Sequence, residues 1–138
     1  NFDKRTKVDN GDILMSMIGT IGNSVLIKSD PDFCIKNVGL IKPRKIYSNY
    51  LIQYFHSKLF QNYLLGKLDG GIQKFVSLSE LRGLKIPVPS FEEQKAIANI
   101  LDKATEELNQ YQQKLEALQL QKKGLMQRLL TGKVRVKI

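Results

Sequence analysis

An α+β fold is predicted: a small mixed α/β head followed by one long C-terminal coiled-coil helix. Three observations predict it. Between residues 13 and 41 short apolar runs are separated by glycine, proline and aspartate turns, the pattern of short strands. Residues 48–65 carry aliphatic and aromatic side chains at helical spacing. From Ser90 to Leu130 apolar residues recur in alternating steps of four and three, with no proline and no glycine before Gly124. The expected domains are residues 1–89 for the head, 90–132 for the helix and 133–138 for a basic tail.

Asn1–Asn10 is polar and basic and reads as an exposed approach. Gly11-Asp12 is a turn. Ile13–Ile18 is apolar on nearly every side and predicts a buried strand. In Gly19-Thr20-Ile21-Gly22, two glycines three apart let the backbone turn tightly or approach a ligand closely. Ser24–Lys28 predicts a second strand, paired with the first as a hairpin. Asp30-Pro31-Asp32 is a loop, Phe33–Lys36 and Val38–Ile41 are further short strands, and Lys42-Pro43-Arg44-Lys45 is an exposed basic turn. Ser48–Leu65 predicts one helix, capped by Ser48 and stopped by Gly66. Leu51, Tyr54, Phe55, Phe60, Tyr63 and Leu64 form its expected buried face, as core rather than as a stacking platform for bases. His56 reads as structural or exposed. Residues 68–75 form a glycine-hinged loop carrying Gln73 and Lys74 at its tip. Ser77-Leu78-Ser79-Glu80 has the spacing of a capping box and opens a short helix. Leu84–Val88 predicts a strand closed by Pro87 and Pro89.

The long helix opens at Ser90, whose hydroxyl can cap its first turn while Glu93 reaches back to the Ser90 N–H. Its seam is Ile97, Leu101, Ala104, Leu108, Tyr111, Leu115, Leu118, Lys122, Leu125 and Leu129, charged only at Lys122. A seam of that length needs a partner, because each fully buried residue contributes about 1.5–3 kcal/mol and no second helix of comparable length exists in the chain. The bland alternative is a long helix folded across its own domain. Residues 90–116 hold six acids against three lysines, a net of −3; residues 117–138 hold six bases and no acid, a net of +6. Part of this asymmetry suits the helix dipole. It also suits an antiparallel neighbour, and a register centred near Gln113 sets Lys122 against Ala104, whereas a parallel homodimer sets Lys122 against Lys122. Antiparallel pairing is predicted.

The chain has 138 residues, 42% of them hydrophobic, as expected of a folded chain. Asn1 is not a start methionine, so a piece of something longer is expected. Net charge is +9, and residues 1–89 hold 13 Lys and Arg against 7 Asp and Glu, a net of +6. A polyanion is the first partner to consider; simple solubility is the bland account of the same charge. Cys34 is the only cysteine, which excludes an internal disulfide and suits a reducing cytoplasm; its flanks Phe33 and Ile35 read as buried core. No run of 18 apolar residues is present, so no transmembrane helix is expected, and no signal peptide is visible. No phosphate-binding glycine loop exists, no metal set can be built from one Cys and one His, and no nucleophile elbow accompanies His56. Catalytic residues, metal and cofactor are therefore all expected to be absent, and a binding module is favoured.

Three segments together resemble the specificity subunit of Type I restriction-modification systems. They are Gly11–Ser16 running into Gly19–Gly22; Gly70–Lys74 with Ser77–Leu81; and Lys85–Gln94 leading into the helix, which ends downstream in Leu129-Leu130-Thr131-Gly132-Lys133. The third is the most specific, with a Pro-x-Pro exit and a Glu-Glu-Gln helix start. The resemblance spans nearly the whole chain. It implies the later part of one target recognition domain, short at its N-terminal side, and the conserved helix after it. The family's subunit has two of each, so this chain is expected to be a fragment or a half-subunit that dimerises. The implied role is sequence-specific reading of double-stranded DNA in the cytoplasm, without catalysis. Paired helices act as a ruler between two reading domains and dock modification subunits that use S-adenosylmethionine, with restriction subunits joining them.

Phosphate contacts supply affinity and base-edge contacts supply sequence. Lys4, Arg5, Lys7, Lys42, Lys45 and Lys74 are the expected phosphate contacts. Gln73, whose amide suits adenine, and Arg44, whose fork suits guanine, are the expected base readers. Thr20, between glycines, is placed to approach a backbone or a base. Each is equally readable as an ordinary solvated side chain. The competing functional readings are a coiled-coil protein–protein assembly adaptor, insensitive to salt, and an enzyme with a polar pocket around His56.

Overall fold

The computed structural model describes residues 7–29, 31, 35, 38–67 and 76–137. They fall into two compact units, Asn1–Asn99 and Ile100–Ile138. The expected strand at Phe33–Lys36, the buried Cys34 and the loop at residues 68–75 lie wholly or mostly outside the described residues.

The first unit holds an antiparallel three-stranded sheet in the order β2-β1-β3, with β1 at Ile13–Ser16, β2 at Ser24–Leu26 and β3 at Val38–Ile41. The hairpin expected from the sequence is present: Ile13 faces Leu26 and Met15 faces Ser24. On the other side Ile13 faces Ile41 and Ser16 faces Val38. Alternation along β1 sends Ile13 and Met15 into the core. The strand is shorter than Ile13–Ile18. The Ser16 hydroxyl donates to the Ile18 carbonyl, the Gly22 N–H returns to the Ser16 carbonyl, and Ile18 is exposed.

The single helix expected over Ser48–Leu65 is two: α1, Ser48–His56, and α2, Lys58–Lys67. Ser57 breaks them with an extended backbone, φ −66° and ψ 146°. Its hydroxyl accepts from the Phe60 N–H at 3.2 Å and so caps α2, while Gln61 Nε2 donates to the Phe55 carbonyl at 2.7 Å. The break folds Phe60 back onto Phe55, with ring centroids 4.8 Å apart. Ser48 is the first helical residue rather than the cap, Tyr47 holds the cap position without a side-chain bond, and Gly66 lies within α2. Helix α2 also covers the β1–β2 turn. Gly22 has φ +83°, and a Cβ there would stand 2.7 Å from Leu64 Cδ1, so the residue is glycine for both reasons.

The core is Ile13, Met15, Leu51, Ile52, Phe55, Phe60, Leu64 and Val76. Of the expected helical face, Tyr54 is half-buried and Tyr63 is exposed, under the Lys67 ammonium 5.7 Å from its ring; in α1, Tyr50 and Ile52 are buried as well. Helix α3, Leu78–Arg82, opens with the expected capping box: Ser77 Oγ accepts from Glu80 N, and Glu80 Oε2 from Ser77 N. The bond from the Ser77 N–H holds the Glu80 carboxyl below its usual range. The strand expected at Leu84–Val88 does not form. Leu84 and Ile86 instead pack against the core, Pro87 can donate nothing to a ladder, and its carbonyl accepts from the Tyr50 hydroxyl at 2.8 Å. Burial pushes the Tyr50 hydroxyl up from its ordinary value.

Helix α4 runs from Phe91 to Leu130, about 60 Å at 1.5 Å per residue. The Glu93 N–H donates to Ser90 Oγ at 3.3 Å, as expected of the cap. Gln94 is buried. Its Oε1 accepts from the Tyr47 N–H at 2.8 Å and its Nε2 donates to the Pro89 carbonyl at 2.9 Å. Tyr47 and Phe91 meet edge to face at 5.8 Å, and Ala98 closes the covered face of this end of the helix. In the second unit every seam residue from Leu101 to Leu129 is exposed. Gly132, at φ +72°, ends the helical run in the left-handed conformation.

Gln94→Ala is expected to lower stability by about 1–3 kcal/mol, since it removes a buried amide and strands the part-buried Tyr47 N–H and Pro89 carbonyl. Urea unfolding followed by circular dichroism checks this, and a loss below 0.5 kcal/mol (roughly the size of an ordinary surface substitution) contradicts it.

Candidate nucleic-acid interface

The basic turn 42–45 leaves β3 at Ile41, beside the Ile13 end of β1. Lys42 is held there by its neighbours. Its Nζ lies 2.8 Å from Asp9 Oδ2 and 2.6 Å from Asp12 Oδ2. Asp12 is buried and also accepts from the Asp9 N–H at 2.8 Å, which closes the turn around Gly11. Lys7 reaches the other Asp9 oxygen at 3.4 Å. The bonds from Asp12 and then Asp9 raise the Lys42 ammonium above the usual lysine value of 10.5, and the bond from Lys42 lowers Asp9 below 3.8. The Lys42 charge is thus compensated within the sheet end, and that of Lys7 in part.

Arg44 and Lys45 are different. Both are exposed, and both stand at the rim of a cleft of about 330 Å³ between the basic turn and the 84–86 segment. The wall is apolar: Ile41, Ile46, Leu51, Phe55, Leu84 and Ile86 line it. This arrangement presents two cations at the lip of a low-dielectric surface, where their field is less screened than on a flat wet face.

Thr20 lies elsewhere. It is exposed in the turn after the Ser16 end of β1, between Gly19 at φ +74° and Gly22. The strand register puts that end opposite the basic turn, so roughly 10 Å of strand separates them at 3.3 Å per residue. Lys7, Lys42, Arg44 and Lys45 share one end of the sheet; Thr20 belongs to the other. Lys4, Arg5, Gln73 and Lys74 lie outside the described residues. His56 is exposed, and its Nε2 is 3.0 Å from the Ser24 carbonyl. Among the described residues no cluster of three metal-ligating side chains occurs, and no helix is long and apolar enough to cross a membrane.

Two roles were missed from the sequence. Asp9 and Asp12 are the partners of Lys42, and their signal is the pair of carboxylates spaced by three around Gly11. Gln94 is the buried amide, and its signal is an uncharged residue after Glu92 and Glu93 at the start of an otherwise charged helix.

A family model for the Type I restriction modification DNA specificity domain matches residues 1–119. The chain belongs to this family. Three curated relatives show the same kinship. The chain is 33% identical to a putative type I restriction enzyme MjaX specificity subunit of Methanocaldococcus jannaschii, over 88% of this chain and 30% of the relative. It is 34% identical to the MjaVIII specificity subunit of the same organism, over 78% of this chain and 26% of the relative. It is 31% identical to the EcoBI specificity subunit of Escherichia coli, over 68% of this chain and 20% of the relative. This specificity domain therefore spans about 30% of the length of the first relative. A chain in a solved structure concerned with assembly and conformational transition of the type I R-M system superposes with a TM-score of 0.73, at 22% identity, over 87% of this chain and 29% of that one. That likeness shows the fold: the small antiparallel sheet with its helices, and the long C-terminal helix.

Lys42→Met is expected to cost about 1–2 kcal/mol, because it leaves the Asp12 carboxylate buried without its cation. The pH dependence follows from the directions of the shifts. The raised Lys42 group stabilises the fold below pH 10.5 and loses that contribution as pH rises through its elevated value; the lowered Asp9 group stabilises above pH 3.8 and loses that contribution as pH falls. Urea unfolding across pH should show wild type and Lys42→Met furthest apart on the plateau between, converging on either side.

Proposed function

We propose that this chain is a reading unit of a Type I specificity subunit: it recognises double-stranded DNA by sequence, does no catalysis itself, and positions modification and restriction subunits in the cytoplasm. The observation that carries this reading is the family match over residues 1–119. The names of the three relatives, all specificity subunits, agree with it. The basic balance of residues 1–89 and the exposed pair Arg44 and Lys45 at a cleft rim supply the chemistry a duplex needs.

In this reading the head is residues 1–89 and the helix 90–132. Arg44 reads a base edge and Lys45 holds a phosphate. Lys42 serves as the internal brace of the turn that presents them, since its charge already has two partners. Lys7, shared with Asp9, contributes weakly. Lys4, Arg5, Gln73 and Lys74 complete the set on the sequence argument alone. Thr20, at the far end of the sheet, meets DNA only if the duplex runs the length of the sheet. The exposed seam pairs antiparallel with the helix of a second reading half or another copy, which sets two heads on a split target. One head binds weakly, and two linked heads bind more tightly.

Duplex binding across a salt series tests the reading. Lys45→Ala should weaken binding to every sequence alike and reduce the slope of log K against log salt by about 1, the release of one phosphate's counterion. Arg44→Ala should relax preference at one base pair, while Lys42→Met, compared at a pH where it is folded, should change the slope least. Binding insensitive to salt and to all three substitutions would favour the assembly-adaptor reading instead.

A further inference from the structure

The cleft beside the basic turn has two walls, and the second also carries a cation. Arg44, Lys45 and Ile46 belong to the first wall; Leu84 and Ile86 belong to the second. Leu84 and Ile86 pack inward against the core, so Lys85 between them, which is exposed, stands on the outward side of that wall. The segment is fixed on both sides of Lys85. The Leu84 N–H donates to the Leu81 carbonyl at 3.4 Å, and the Tyr50 hydroxyl donates to the Pro87 carbonyl at 2.8 Å. Among the described residues no acidic side chain lines the cleft. The carboxylates of Asp9 and Asp12 are already engaged by Lys42. Lys45 and Lys85 thus face each other across about 330 Å³ of apolar hollow as two uncompensated charges.

A concave surface of this composition does not suit the base edges of a duplex, which are recessed in the grooves. It suits a ridge, and the ridge a duplex presents is its sugar-phosphate strand. Along that strand charged phosphates, which need cations, alternate with sugar rings whose faces are largely carbon and hydrogen. At the 2′ position a deoxyribose carries hydrogen. A ribose carries a hydroxyl there, and this group is what lets a protein tell RNA from DNA at a given site. The side chains of Ile46, Leu84 and Ile86 offer that hydroxyl no hydrogen bond, so seating a ribose against them leaves it desolvated and unpaired.

We infer that the cleft seats one deoxyribose-phosphate strand of the duplex, with Lys45 and Lys85 on phosphates either side of a sugar that lies against Ile46, Leu84 and Ile86. The head then selects DNA over RNA by the missing 2′-hydroxyl. This seat rests on the duplex reading proposed above. It adds a second phosphate contact, Lys85, and a basis for choosing the sugar, while Arg44 keeps its base edge.

Binding by the 138-residue chain at low salt tests it, with three mixed-sequence probes. They are a DNA duplex, a DNA–RNA hybrid, and the same hybrid with 2′-fluoro in place of every 2′-hydroxyl. Both hybrids share the A-like helix form, so they differ at the 2′ position alone. The fluoro hybrid should bind about tenfold more tightly than the RNA hybrid, the scale set by one buried, unpaired hydroxyl. Ile86→Thr, which sets a hydroxyl on the wall, should narrow that gap. Lys85→Ala, at an exposed position that leaves the fold intact by circular dichroism, should lower the slope of log K against log salt for the DNA duplex by about 1, and Lys85→Arg should restore it. Wild-type binding with a slope that Lys85→Ala leaves unchanged, or two hybrids that bind alike, overturns the seat and leaves the duplex reading standing. A wild-type chain that binds none of the three probes overturns both.

Discussion

The side-chain amide of Gln94 is the interaction on which the rest depends. It sits where three backbone stretches meet: the residue before α1, the proline exit before α4 and the first turn of α4 itself. Tyr47 offers an N–H with no helical partner, and Pro89 offers a carbonyl. Only a group with a donor and an acceptor a fixed distance apart satisfies both. A glutamate would set a second acceptor against the Pro89 carbonyl, and a methionine would strand both groups. With the amide in place, the start of α1 is fixed and its apolar face can meet β1. The Tyr50 hydroxyl on the Pro87 carbonyl then holds the intervening segment flat against the core without any ladder bonds.

Charge is arranged in two layers. Nearest the sheet, Asp12, Asp9 and Lys42 form a closed set whose components satisfy one another. Asp12 is the buried member, and a buried carboxylate is tolerable only when bonded and paired. Lys42 therefore belongs to the structure of the turn more than to its surface. Farther out, Arg44 and Lys45 follow Pro43, which stiffens the chain between the brace and the presented cations. A basic turn that contains an acid-bound lysine presents a different field from one with three free cations: the positive potential moves outward by two residues, onto the lip of the apolar cleft.

Much of this fold was legible in the sequence, and the failures have a common cause. The hairpin, the third strand, the capping box at Ser77 and the long helix follow from local rules, because turn glycines, capping spacing and heptads act within a few residues. The break at Ser57 was not legible. Nothing in residues 54–60 forbids a helix; the break is favoured because it stacks Phe60 on Phe55 and lets Gln61 satisfy the freed carbonyl, and both are tertiary gains. The extended 84–88 segment fails as a strand for the same reason, since its order comes from packing and one tyrosine. At the candidate interface, exposure of Arg44 and Lys45 followed from the Lys-Pro-Arg-Lys turn. The fate of Lys42 did not, because its partners lie about thirty residues earlier in the chain. Likewise the separation of Thr20 from the basic turn is a consequence of strand register, which no local pattern encodes.

The second unit raises a question of stability that its sequence answers in part. From Ile100 onward α4 has no buried residue among those described, and the side-chain bonds along it are local, such as Gln112 to Glu116 at 3.0 Å and Thr105 to the Leu101 carbonyl. Such i to i+4 contacts contribute about 0.2–0.5 kcal/mol each. Beyond Ile100, propensity and those local contacts are the support the described residues give the helix, and Gly124 weakens its far third. The leucines at 101, 108, 115, 118, 125 and 129 are exposed; their burial against a partner would contribute roughly an order of magnitude more than those contacts. In the pairing proposed for the seam, formation of the far half of the helix would be coupled to association, because a partner would cover the seam and hold it helical. Lys122 belongs with these leucines. A charged side chain in a seam position costs stability, and it is tolerated where a small residue opposite leaves its stem room to reach water. In the proposed antiparallel register Ala104 is such a residue, so the position that weakens the seam would also be the one that specifies its register.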